Sequence, residues 1–219
     1  MNVNPNDYQV CNNCVMDTTD PNIIFDDKGV CDHCHDYYNN LKPRWVLGEE
    51  GQNELNRIVN KIKHVGRNNE FDCLLGLSGG VDSSYLAYLA VELGLRPFLV
   101  HVDCGWNSEI AVKNIENLAR ALNLELHTIV IDWQEMKELQ LAYLKSGVPN
   151  QDVPQDHAIF AALYKYAVKM GIRYVLNGSN YASESILPIA WGYNASDSTN
   201  LKSICFKNGG PRLIKYPTL

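Results

Sequence analysis

Phe71-Asp72-Cys73-Leu74-Leu75-Gly76-Leu77 runs directly into Ser78-Gly79-Gly80-Val81-Asp82-Ser83-Ser84, and this stretch decides the fold. The apolar first half predicts a buried strand. Leu86, Leu89, Ala90 and Leu93 then fall on one face of a helix over Ser83–Leu93. The two glycines between them let the backbone approach an anion and aim N–H groups at it. The start of the helix adds its dipole, and Ser83 or Ser84 can cap that end or donate to a phosphate. Asp82 sets a carboxylate where it could hold Mg²⁺ against phosphate oxygens. The loop lacks the Gly-Lys-Ser/Thr of a Walker A motif and the G-x-G-x-x-G of a dinucleotide fingerprint. The bland alternative is a Gly-Gly turn closed by a serine cap.

Outward from this loop, strands and helices alternate. Pro97–Asp103, Leu126–Ile131 and Tyr174–Leu176 read as further strands. Helices are expected from Asn53 (Leu55, Ile58, Val59, Ile62), over 111–122, around Met136–Leu144 and over Ala158–Met170. That order predicts a parallel, doubly wound α/β sheet with helices on both faces. After Asn177 the pattern dissolves into Ser, Asn, Gly and Pro. His101-Val102-Asp103 and Asn177-Gly178 end two of the strands, on the edge where open α/β sheets bind ligands.

The N-terminal stretch is different. Cys11, Cys14, Cys31 and Cys34 form C-x2-C-x16-C-x2-C. Two such pairs fit a tetrahedral structural Zn²⁺ site, and an iron–sulfur cluster held by the same four thiolates is the alternative. Residues 1–45 are too few to fold on apolar burial alone, so the metal staples them into a small module. Asp26-Asp27-Lys28-Gly29 reads as the turn of a hairpin joining the pairs. His33 and His35 are expected to be solvated or to support the ligands. The larger domain then occupies 52–219.

With 219 residues there is room for one α/β domain and one satellite. A net charge of −6 gives no basic footprint for nucleic acid. No apolar run is long enough for a membrane helix, and Met1–Tyr8 has no signal pattern, so a cytoplasmic location is expected. Cys73, Cys104 and Cys205 are scattered: Cys104 is expected in the nucleotide pocket, and Cys73 reads as a buried small hydrophobe. None sits in a nucleophile elbow, so no built-in glutaminase is expected.

Ser78-Gly79-Gly80-Val81-Asp82-Ser83-Ser84 resembles the PP-loop of the ATP pyrophosphatase (adenine nucleotide alpha hydrolase-like) superfamily. The resemblance implies cleavage of ATP between its α- and β-phosphates, with Ser78 and Asp82 catalytic. It implies nucleotide contacts from Ser78 to Ser84, from His101, Val102 and Asp103, and from Asn177 and Gly178. The string Cys11-Asn12-Asn13-Cys14-Val15-Met16-Asp17-Thr18-Thr19-Asp20-Pro21, with Ile24-Phe25-Asp26, Gly29-Val30-Cys31 and His33-Cys34, is similar to the opening of the N-acetyl sugar amidotransferase family. So are His101-Val102-Asp103-Cys104-Gly105-Trp106 and the stretch from Leu176 through Asn180, Glu184, Ser185 and Leu187 to Trp191.

This second resemblance implies an ATP-, Mg²⁺- and zinc-containing ligase that turns the acetamido group of a nucleotide-activated sugar into an acetamidino group. It implies a place in lipopolysaccharide or O-antigen biosynthesis, and ammonia delivered by a separate glutaminase subunit with a barrel-shaped partner. Glu184 and Trp191 are the candidate substrate residues. Lys202, Lys207 and Arg212 are candidates for added positive charge, or a solvated basic tail. The family is longer than this chain, so the resemblance makes it a truncated or short member. The nearest rival is a tRNA thiolase, which needs cysteines beside the nucleotide and binds a polyanion. The other is a non-catalytic ATP-binding scaffold.

Overall fold

The computed structural model describes residues 8–179, 184, 186, 188, 190–192 and 194–219. Met1 to Asp7 of the N-terminal stretch, and Asn180, Ser185 and Leu187 of the later motif, lie outside the described residues. The chain forms two compact units. The smaller comprises Met1–Glu54 and Asn180–Tyr193, the larger Leu55–Ser179 and Asn194–Leu219.

The larger unit is built on four strands: β1 (Cys73–Gly76), β2 (Pro97–Asp103), β3 (Leu126–Val130) and β4 (Val175–Leu176). All pair in parallel, in the order β3-β2-β1-β4. Alternation along the strands explains why both faces are covered. Leu74, Phe98, Val100 and Val102 point into one apolar layer, and Cys73, Leu75, Leu77 and Leu99 into the other.

The second layer is closed by Val59 and Ile62 from the helix Gly48–Gly66, Ala87 and Ala90 from Val81–Glu92, and Ile115 and Ala119 from Glu109–Ala121. The first is closed by Met136, Leu139 and Tyr143 from Trp133–Ser146, Ala158, Ala162 and Leu163 from Val153–Lys169, and Leu201 and Cys205 from Ser198–Lys207. With Asp32–Asp36 as α1, these six helices are α2, α3, α4, α5, α6 and α7 in chain order. The doubly wound parallel sheet expected from the sequence is present. The chain winds from β1 outward to β3 and then returns to add β4 on the other side of β1, so the strand order reverses between β1 and β4.

The chain beyond Asn177 is not wholly irregular: α7 forms there. The Asp197 side chain accepts from the Asn200 N–H at 2.9 Å and caps it, while Leu201 and Cys205 bury one face. Its short apolar spacing is hidden among polar residues. In the small unit two isolated antiparallel bridges, Val10 to Asp17 and Phe25 to Cys31, frame the cysteine pairs. The Asp26 side chain closes the turn between them, accepting from the Lys28 and Val30 N–H groups.

Candidate functional site

The loop after β1 is held from within. The Ser83 hydroxyl accepts from the Ser78 N–H at 3.2 Å, lies 3.0 Å from the Ser78 hydroxyl and donates to the Gly80 carbonyl at 3.3 Å. Ser83 is buried, so its oxygen braces the loop and does not face solvent. Ser78, Gly80, Val81 and Asp82 are exposed, and Ser84 is half-buried. Gly80 is the N-cap of α3 and brings no side chain to its N–H groups. Among the described residues no side chain caps the first-turn donors of α3, which have no intrahelical acceptors and suit an anion. Asp82 is exposed and makes no hydrogen bond or ion pair with the described residues. Its carboxylate fits a magnesium ligand that phosphate oxygens would share.

Two neighbours fix this loop from outside. Asn114 of α4 donates its side-chain amide to the Gly79 carbonyl at 3.3 Å, and Gly79 lies against the Ala111 carbonyl. On the other flank Gly178, just beyond β4, touches the backbone at Asp82 and Ser83. Loop, α3 N-terminus and Gly178 thus meet where the strand order reverses, the crevice at which open α/β sheets bind ligands. Asn177 beside it is exposed and accepts from the Ser179 N–H.

His101 is buried near the end of β2. Its Nδ1 lies 2.9 Å from the Leu77 carbonyl, which makes Nδ1 the donor and leaves Nε2 to accept the Asn107 amide at 3.1 Å. Asn107 also donates to Asp103, whose Oδ1 accepts the Gly105 N–H at 2.8 Å. His101 and Asp103 therefore act together to shape the loop after β2, and Val102 packs into the core. Asn107 and Asn114 escape sequence reasoning, because an isolated asparagine carries no local pattern.

The single cysteines are not poised nucleophiles. Cys104, expected at the nucleotide pocket, is instead buried in the apolar layer with Ile131, Met136 and Tyr216. Burial, with Asp103 and Asp156 near, pushes its thiol up to about 12. Burial beside Asp72 does the same to Cys73, also to about 12. The Cys205 thiol is raised by burial and donates to the Pro211 carbonyl. Lys202 and Arg212 line a cavity of about 450 Å³ with Phe206, Pro211 and Leu213.

In the small unit the Cys11, Cys14, Cys31 and Cys34 sulfurs all lie within 4.8 Å of one another. Cys11 to Cys34 is 3.8 Å and Cys14 to Cys31 is 3.6 Å. Ligands at about 2.3 Å from a tetrahedral zinc stand about 3.8 Å apart, so the quartet can hold a zinc ion. The Asn13 and Cys31 N–H groups donate to Cys11 and the Asn13 amide donates to Cys34. Such donors favour thiolates. The histidines stand outside the quartet: His33 pairs with buried Asp20 at 2.8 Å, and His35 with Asp26 at 3.0 Å. Trp191 packs against the cysteine cluster, and Glu184 is exposed.

The fold and its loop define the chain as a PP-loop protein of the ATP pyrophosphatase superfamily. A family model described as NAD synthase matches residues 54–216. The chain belongs to the NAD synthase family.

Among curated relatives it is 30% identical over 135 residues to tRNA(Ile)-lysidine synthase of Chlamydia pneumoniae, covering 60% of this chain and 39% of that protein. It is 27% identical over 129 residues to 7-cyano-7-deazaguanine synthase of Helicobacter acinonychis (strain Sheeba), covering 53% and 57%. It is 27% identical over 131 residues to tRNA-specific 2-thiouridylase MnmA of Vesicomyosocius okutanii subsp. Calyptogena okutanii (strain HA), covering 53% and 35%. The chain thus spans less than two thirds of each. Among solved structures it is similar to NH3-dependent NAD synthetase from Campylobacter jejuni, at TM-score 0.47 and 19% identity over 71% of this chain and 72% of that one. NMN synthetase from Francisella tularensis matches at TM-score 0.45 and 22% identity, over 71% and 69%. No described helix is long and apolar enough to cross a membrane.

Proposed function

We propose that the chain is an ATP-dependent amidotransferase that converts the acetamido group of a nucleotide-linked sugar into an acetamidino group. The observation that carries the chemistry is the N-terminus of α3, which no described side chain caps, presented by a braced Gly-Gly loop with the exposed Asp82 beside it. An amide carbon resists attack by ammonia. Transfer of AMP to the amide oxygen activates it: that oxygen bonds the α-phosphorus, and pyrophosphate leaves. Ammonia then adds to the carbon, AMP departs with the oxygen, and loss of a proton leaves the amidine. The loop N–H groups orient the phosphates and balance developing charge, and Asp82 would hold the Mg²⁺ that neutralises the leaving pyrophosphate.

The acetamido-sugar acceptor rests on the likeness of the Cys11–Cys34 string and of the segment around Glu184 and Trp191 to sugar amidotransferases. The buried singletons point to an ammonia supply outside this chain, from a glutaminase subunit with its barrel partner, since no described cysteine outside the quartet is activated. They also weigh against a tRNA thiolase, which needs an accessible thiol beside the nucleotide.

The test is incubation with ATP, Mg²⁺, ammonium and a panel of UDP- and CMP-linked acetamido sugars, with mass spectrometry for oxygen replaced by NH. Pyrophosphate release tied to that product is expected, and its loss in Asp82→Ala. Full activity in Asp82→Ala removes Asp82 from the mechanism. Thiolation of tRNA that is lost in Cys104→Ala would replace this reading with the thiolase.

A further inference from the structure

Two tryptophans stand in solvent on the ligand-binding edge of the sheet. Trp106 is 55% exposed and Trp133 is 44% exposed. Their rings meet edge to face, with centroids 5.0 Å apart and planes at 72°. The pairing follows from the sheet. Asp103 and Val130 are register partners at the ends of β2 and β3, and each tryptophan lies three residues beyond one of them.

Neither ring is carried on a loose segment. The Gly105 N–H and the Asn107 amide both bind Asp103, clamping the backbone on either side of Trp106. Trp133 opens α5, whose N-cap Asp132 accepts from the Glu135 N–H and pairs with Lys215. Gly105, at φ +86°, is the seat of the Trp133 ring: a Cβ there would stand 2.5 Å from Cε3 and 2.7 Å from Cζ3. Large aromatic rings on a clamped backbone, in contact with each other and still open to water, are the arrangement expected of a binding surface. Their mutual contact reduces the cost of ordering them when a ligand arrives.

We propose that Trp106 and Trp133 form a stacking corner for the pyrimidine base of the nucleotide-linked acceptor. The inference rests on the function proposed above for its choice of substrate. Position separates this occupant from the adenine of ATP. The phosphate loop lies at the end of β1, and the residues that the resemblance gives to the ATP nucleotide flank that strand, at the ends of β2 and β4. The tryptophan pair lies farther out, between the ends of β2 and β3. A second ring-bearing substrate must enter the same edge for its amide to reach the α-phosphate. A planar base laid on one ring and walled by the other gains stacking without any requirement for base-specific hydrogen bonds.

The experiment is calorimetric titration of the full chain with UDP, CMP, ATP and N-acetylglucosamine 1-phosphate, repeated on Trp106→Ala, Trp133→Ala, Trp106→Phe and Gly105→Ala. UDP or CMP is expected to bind the wild type and to weaken about 5- to 100-fold in both alanine variants. Trp106→Phe should retain most of the affinity, Gly105→Ala should lose it by displacing Trp133, and ATP should change far less than UDP or CMP. Unchanged thermal melting separates these effects from misfolding. Weakening of ATP alone, dependence confined to the sugar phosphate, or no binding of UDP and CMP to the wild type each overturns the proposal. Tryptophan-dependent nucleotide binding without amidine formation leaves the corner standing and sinks the proposed reaction. Turnover with acceptor KM unmoved in both alanine variants does the reverse.

Discussion

Gly178 sits against the backbone nitrogen of Ser83: a Cβ built on this glycine would lie 2.8 Å from it and 3.1 Å from the Ser83 Cα. Both partners are main-chain atoms at the start of a helix, so neither can swing aside. Gly178→Ala is therefore expected to push the β4 turn away from the phosphate loop or to tilt the first turn of α3. Strain of this kind costs about 1–3 kcal/mol in stability. The larger effect should fall on function, because displacement near 1 Å misaligns the phosphate donors and costs about a hundredfold in rate. Pyrophosphate release and the melting temperature, measured together on Gly178→Ala, check this. A variant with wild-type turnover would show that the contact does not position the loop.

The same relationship shows what can be read in the sequence. Strand, Gly-Gly loop and helix are legible because each is a local pattern: an apolar run, two glycines, then a 3.6-residue period. The Cys11–Cys34 spacing is legible because ligand geometry restricts it. Contacts that set the loop across the sheet are not. Gly178 to Ser83 and Asn114 to Gly79 join residues far apart in the chain, and nothing local marks them. Cys104 misleads for a related reason. A cysteine after a ligand-edge aspartate looks available, yet Tyr216 and Met136, distant in sequence, close the core over it. Helix α7 is hard to see because its capping aspartate and two buried residues are diluted by serine, asparagine and lysine.

Asp72 and Arg96 tie together the segments that enter β1 and β2. Asp72 is buried and receives the Arg96 backbone N–H at 3.0 Å and the guanidinium through Nε and Nη2. The same guanidinium donates to the Gly66 and Asn69 carbonyls, which gathers the end of α2 into the knot. Arg96→Ala leaves a buried carboxylate with one donor, strips the Asn69 carbonyl of the guanidinium, and leaves the Gly66 carbonyl with only the Asn69 N–H. A loss of about 2–3 kcal/mol is expected by urea unfolding. Arg96→Lys should recover less than half, since an ammonium cannot span all three acceptors in one plane. Equal stability of the lysine variant and the wild type would show that charge alone suffices.

The cysteine quartet predicts a metal-dependent small unit. One zinc per chain is expected by metal analysis, released by strong chelator and absent in Cys31→Ala, whose sulfur is fully buried between the pairs. Without the ion the surrounding segment has little apolar surface to hold it, so proteolysis should cut within residues 8–45 of the apo form. The sheet of the larger unit buries its own two apolar layers and should keep its cooperative melting. Iron in place of zinc would appear as visible absorbance in the purified protein. Protease resistance unchanged by chelation would show that the metal does not staple this unit.

His157 predicts a pH dependence of stability. It is fully buried, with Nδ1 2.6 Å from the Ala195 carbonyl and Nε2 accepting the Leu219 N–H at 3.1 Å. Both contacts require one proton on the ring, at Nδ1. Burial, with Lys202 and Lys165 adding to it, holds the imidazole below its ordinary value near 6.5, although the Ala195 carbonyl opposes the shift. The unfolded chain therefore takes up this proton first as pH falls. The contribution of His157 is complete above about pH 6.5 and declines as pH drops through the lowered native value. Asp156 works in the opposite sense: burial and the nearby Asp152 raise its carboxyl, which favours the folded state in acid. Comparison with a variant isolates the histidine. The difference in unfolding free energy between wild type and His157→Asn should be largest near pH 7.5 and shrink toward pH 5. A difference that stays constant or widens toward acid would show that His157 does not titrate within this range.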